Sequence, residues 1–252
     1  MTTTQTAPTT QPSARSRMLR PLPGDHRFYS AMAIVMTVTI LAGFSNTYLP
    51  KLAAGQPLVA IIHLHAVIFT SWLALFVTQT MLVLTGRTSV HRRLGIAGVA
   101  LAALMLVVGA ATGVAVTRLG SRGIPGVEFP DPEGFLLLNL AAATVFAVLV
   151  GAGWYFRRDP QMHKRLMLMA TAGTLIGPGV SRLPFASGNS GLIGALAMAF
   201  LLAGPVYDLV TRRRVHPAYV WSGLLAFAAT PPVVAQLGAT DAWHSVALLF
   251  LR

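Results

Sequence analysis

The stretch HRRLGIAGVALAALMLVVGAATGVAVT, residues 91–117, decides the fold. A histidine and two arginines open it, and no charged residue follows from 94 to 117. About 20 apolar residues suffice to cross the ~30 Å hydrocarbon core of a bilayer. A run this long, without period-two alternation, is a helix and not a barrel strand. Comparable runs place further spans at 28–49, 58–85, 135–156, 165–183, 191–210 and 218–237. Apolar residues make up 54% of the chain and charged ones 10%, which leaves no soluble class to consider. The expected fold is all-α: a polytopic helical membrane protein of about seven transmembrane helices with a four-helix core. Residues 1–27 read as a disordered basic tail, 28–237 as the transmembrane domain and 238–252 as a short external or interfacial tail, too short to span again.

Charge then sets orientation. The net charge of +12 sits in short loops between spans, not in a nucleic-acid-binding patch. Arg15, Arg17, Arg20, Arg27, Arg87, Arg92, Arg93, Arg157, Arg158, Lys164, Arg165, Arg212, Arg213 and Arg214 fall on one side. Lys51, Arg118, Arg122, Arg182 and Arg252 fall on the other. The positive-inside rule therefore puts the amino terminus in the cytoplasm and the carboxyl terminus outside, in the cell (inner) membrane. The acid-poor, Arg-containing tail also has the composition of an organelle transit peptide. The chain has no cysteine, which excludes disulfides, thiolate metal sites and iron–sulfur ligation. A phosphate loop and a GxSxG elbow are absent as well.

His91-Arg92-Arg93-Leu94 recurs as His163-Lys164-Arg165-Leu166, and His216 closes a third basic loop before Pro217. Each histidine opens a helix running outward. The helices that His91 and His163 open are parallel with one span between them, so they can be diagonal neighbours in a four-helix core, with two imidazoles facing at one depth. That is the arrangement bis-imidazole ligation of a haem needs. Histidines at basic helix starts are also what the headgroup zone selects, so two interfacial anchors is the alternative. His63 and His65 form a second cluster near the outer interface, some 30 Å away at 1.5 Å rise per residue. Two residues apart on a helix, they cannot face one ligand. His65 shares a face with Trp72 and is the inward candidate.

Polar residues inside the spans carry information, because leaving them unpaired in lipid costs about 1–3 kcal/mol or more. They are Gln79, Asn139, Arg182, Asp208 and Gln236. Asp208 has an i, i+4 partner in Arg212. Arg182 can snorkel upward, or bind a haem propionate, a quinone oxygen or a lipid phosphate. Asn139 lies at the depth of His65 on the diagonal helix. Gly109, Gly113, Gly151, Gly173 and Gly177 offer small faces for helix contacts, and Pro178, Pro205 and Pro231-Pro232 mark kinks.

His65…Trp72, His91-Arg-Arg-Leu and His163-Lys-Arg-Leu, within residues 58–183, resemble the core of the ascorbate-reducing cytochrome b and ferric-reductase-like transmembrane superfamily. The His-Arg-Arg-Leu-Gly turn also resembles uncharacterised bacterial multi-pass membrane proteins. The first resemblance implies an inner b-type haem with His91 and His163 as axial ligands. It implies an outer site around His65 that lacks its second ligand, because Asn139 stands at that position.

Three functional classes follow. One is a membrane electron carrier with one haem b near the cytoplasmic face and a quinone or small reductant as partner. Another is a metal-dependent membrane enzyme with His91, His163 and His216, joined by Asp159, around zinc or iron. The third is a non-catalytic accessory or assembly subunit or a small transporter, although no acidic residue lies mid-span as ion coupling usually requires.

Overall fold

A computed structural model of the chain describes residues 24–56 and 58–251. Most of the expected amino-terminal tail lies outside these residues. The described part is almost wholly helical: α1 Asp25–Ala53, α2 Ala60–Leu84, α3 Thr88–Arg118, α4 Pro132–Tyr155, α5 Pro160–Val180, α6 Ser190–Arg212, α7 Pro217–Ala228, α8 Pro231–Gly238 and α9 Asp241–Leu251. α1 starts at Asp25, so His26 and Arg27 belong to it and not to the tail.

Five of these helices (α1, α2, α3, α4 and α6) are long and apolar enough to cross a membrane, and α7 with α8 makes a sixth candidate. This is a multi-pass helical membrane protein. The expected seventh span, 218–237, is two helices bent by 46°. Pro231 opens the second of them, where its missing N–H removes no bond.

The remaining long helix, α5, is too polar to qualify by composition, yet it is the centre of the molecule. It packs against α1, α4, α6 and α7. Gln161, Arg165, Leu166, Leu168, Met169, Ala170, Thr171, Ile176 and Val180 are all buried on it. The two facts share one cause. A helix surrounded by protein need not match lipid, so it can hold polar residues wherever neighbours answer them. Helices α1 to α5 form a ring by sequential contact, closed by α5 on α1. α6 and α7 cover the other side of α5.

Asp159 and Asn189 cap their helices by accepting backbone N–H bonds, and Asp131 does the same for α4. The closest helix crossing rests on two glycines. A Cβ on Gly43 of α1 would overlap the Gly179 carbonyl of α5, and one on Gly179 would lie 2.9 Å from Ile40 Cα. Gly109, Gly113 and Gly173 also meet neighbouring side chains, whereas Gly151 and Gly177 face open space. The expectation for those two is corrected: they are small, but nothing approaches them.

Within the loop 118–134, residues Gly123–Ile124 pair antiparallel with Val127–Glu128. Gly126 supplies the positive φ (77°) this tight turn needs. α9 packs on α3, α4 and α8. Trp243 Nε1 donates to the Glu133 carbonyl at 2.8 Å, and Arg118 donates to the Phe250 carbonyl at 3.0 Å.

Candidate ligand site: a histidine pair at the basic end

The starts of α3 and α5 bring His91 and His163 together. Their ring centroids are 6.1 Å apart and the ring planes cross at 82°. Both side chains are half-buried. Each has a partner at Nδ1. His163 Nδ1 lies 2.8 Å from the Gly153 carbonyl of α4. A carbonyl only accepts, so Nδ1 carries the proton and Nε2 keeps a lone pair. On the other ring, Gln79 of α2 orients its amide oxygen toward Gly95 N (3.0 Å) and its nitrogen toward His91 Nδ1 (2.7 Å). Gln79 was legible in the sequence only as a deep polar residue; the structure makes it the partner of His91. Gly153 was not legible at all, because its contribution is a backbone carbonyl.

Below the pair the bundle is packed. One turn further from the basic end lie Phe76 on α2, Leu149 and Val150 on α4 and Leu166 on α5, all buried. Another turn along, Trp72 and Phe146 meet edge to face at 5.0 Å, and Trp72 Nε1 donates to Thr171 Oγ1 at 3.4 Å.

The two copies of the repeated turn have different fates. Arg92 and Arg93 are exposed. Lys164 and Arg165 instead point into a buried ion network. Arg165 is fully buried and meets Asp208 of α6 through two bonds, 2.6 and 2.9 Å, and also Gln161 through its carbonyl and its side chain, both at 2.8 Å. Lys164 and Arg212 both reach Asp25 of α1, at 2.5 and 2.6 Å. The expected Asp208–Arg212 pair exists at 3.5 Å, but Arg165 is the nearer partner. Placing Arg165 among the loop cations is therefore corrected. Its partner lies 43 residues away, and no local spacing reveals that.

His216 is buried and caps α7, its Nδ1 accepting from Ala218 N at 3.2 Å. It is committed to that cap and to Asp208, which accepts from the His216 backbone N–H at 3.2 Å. Among the described residues, the group of three His, Asp or Glu side chains whose ligand atoms converge is Asp131, Glu133 and His244, not His91, His163 and His216. The three-histidine metal set is not assembled.

At the far end, His65 stacks on Phe69 (centroids 3.8 Å, 18°), and Arg182 stands over the Phe44 ring at 4.4 Å. His63 turns the other way, to the Tyr48 hydroxyl at 2.6 Å. Asn139 packs on Gly113 and donates to the Phe135 carbonyl of its own helix at 2.8 Å. Gln79, which touches His91, is 14 residues from His65 along α2, so the two ends are about 21 Å apart and not 30 Å.

No family model, curated protein or solved structure matches the chain.

Proposed function

We propose that this chain is a membrane electron-transfer protein with one b-type haem, its iron held by His91 and His163. The observation that carries the reading is the ring spacing. Two imidazole nitrogens each about 2.0–2.1 Å from one metal put the ring centroids about 6 Å apart, and the pair stands at 6.1 Å. The donor chemistry fits at His163. Gly153 fixes the His163 tautomer that leaves Nε2 free, as the backbone partners of ligating histidines do. His91 differs: the Gln79 amide nitrogen donates to its Nδ1, so the His91 proton sits on Nε2 and has to leave before that nitrogen can hold a metal. Arg92 and Arg93, exposed beside His91, are the cations that would meet the propionates; Lys164 and Arg165 are already taken by carboxylates. When bound, the haem supplies a one-electron couple, and a quinone or small reductant is the partner class. The basic end is the cytoplasmic one on this reading.

The packing beneath the pair favours a second reading. A porphyrin disc needs Phe76 and Leu149 to turn aside, whereas a bare metal ion completed by water does not. Protein purified without a nickel column from haem-replete cells decides between them. The haem reading expects a Soret band that shifts on dithionite reduction and is lost in His91→Ala and His163→Ala but kept in His63→Ala. Stoichiometric metal in a colourless protein supports the second reading, and a colourless, metal-free protein contradicts both.

A further inference from the structure

The far end of the bundle holds a charge that no carboxylate among the described residues meets. Lys164, Arg165 and Arg212 are the cations drawn into the basic-end network, and each faces a carboxylate at 2.5 or 2.6 Å. Arg182 is different. It is largely withdrawn from solvent just past the end of α5, and no carboxylate acts on it among the described residues. Its Nη1 donates to the Pro178 carbonyl at 2.6 Å and approaches Ser181 Oγ at 3.4 Å. That is an ordinary way for an arginine to close a helix, but it uses one of three nitrogens. The Phe44 ring covers the guanidinium from the side of α1. The Gly43–Gly179 crossing fixes that proximity, because it presses α1 against α5 a few residues before Arg182.

A second unanswered group lies within electrostatic reach. Arg182 acts on His65, whose Nδ1 is buried without a hydrogen-bond partner among the described residues. The His65 ring is held in place by its stack on Phe69, so the orphaned nitrogen is not free to swing to water. A desolvated cation without a counter-ion and an unpaired imidazole nitrogen are both unfavourable alone. One negatively charged oxygen ligand between them relieves both, through charge-assisted bonds to the guanidinium and a bond from the imidazole.

We infer that His65 and Arg182 form an anion site at the end of the bundle away from the histidine pair, taking a phosphate-type oxygen anion from an acidic lipid headgroup or from solution. The site is independent of whatever His91 and His163 hold, since about 21 Å separates them.

The test uses the full-length protein in a neutral detergent, with thermal unfolding as the readout. Inorganic phosphate is titrated against chloride at matched ionic strength, and phosphatidylglycerol mixed micelles are compared with phosphatidylcholine. A saturable rise in Tm is expected with at least one anionic probe. A response to phosphatidylglycerol alone assigns the lipid source, and a response to inorganic phosphate assigns a soluble anion. Arg182→Gln removes the response, and His65→Phe weakens apparent affinity about tenfold. Arg182→Lys, which keeps the charge but not the fork, retains weakened binding and guards against misfolding of the Gln variant. Arg158→Gln, at an exposed cation, responds as the parent protein does. The proposal is overturned if neither probe moves Tm beyond its control, or if Arg182→Gln responds like the parent.

Discussion

Arg165 and Asp208 are each fully buried and joined by two short bonds, so neither can lose its partner without leaving a bare charge in the interior. Removing one member of such a pair is destabilising by about 3–5 kcal/mol, while replacing both with apolar residues of similar size is far milder. Arg165→Met and Asp208→Leu should therefore each lower the unfolding temperature sharply, and the double variant should recover much of the loss. Additive losses in a double-mutant cycle would show that the two do not act as a pair. His216 offers a second measurement at this scale. Burial, with the Arg165 charge next, pushes its pKa below the ordinary value of 6.5. Its Nδ1 also needs a lone pair to cap α7. The folded state thus prefers neutral imidazole. The stability it contributes is present above about pH 6.5 and is lost as pH falls toward the lower folded value. His216→Asn, which still caps but does not titrate, should flatten this acid limb in Tm-against-pH profiles.

At the scale of elements, α1 and α5 meet through Gly43 and Gly179, with room for no other side chain. Gly43→Ala should destabilise by about 1–3 kcal/mol as an overpacked contact. Gly151→Ala, into open space, should be neutral or slightly stabilising because alanine is the better helix former. Equal responses in detergent unfolding would refute the crossing. Five glycines stand out in the sequence as contact faces, and neither residue of the tightest crossing is among them. Small residues are visible in a sequence, but which face another helix is decided by packing. The helices themselves were legible because each apolar run states its own length. α5 was legible as the run 165–183 although it is too polar to qualify by composition, and its central position was not legible, because only its neighbours reveal a helix shielded by protein. The bend at Pro231 was legible as a kink, since proline interrupts a helix wherever it stands.

At the scale of the whole molecule, the basic loops gather at one end of the bundle, and the positive-inside rule predicts that this end is cytoplasmic. A chain without cysteine suits a direct check. Thr88→Cys, at the basic end, should react with an impermeant maleimide only after cells are opened, and Ser187→Cys, at the far end, in intact cells. The reverse pattern would invert the topology. The histidine pair lies at the basic end of the bundle, with His65 and Arg182 at the opposite end. The pair was legible as a repeat of four residues, and its parallel, diagonal placement followed from counting spans. Its supports were not legible, because Gly153 acts through backbone and Gln79 comes from a third helix. The unequal fates of the two repeats also had no local signal, since Asp25 and Asp208 are far away in the chain.

The central claim is that His91 and His163 ligate one iron. Low-temperature electron paramagnetic resonance of the oxidised protein tests it most directly, because that signal reports both the ligands and the angle between their planes. Imidazoles crossed at 82° predict a strongly anisotropic low-spin haem signal dominated by one low-field feature. A high-spin signal, a rhombic low-spin signal typical of parallel imidazoles, or no haem signal at all would contradict the account.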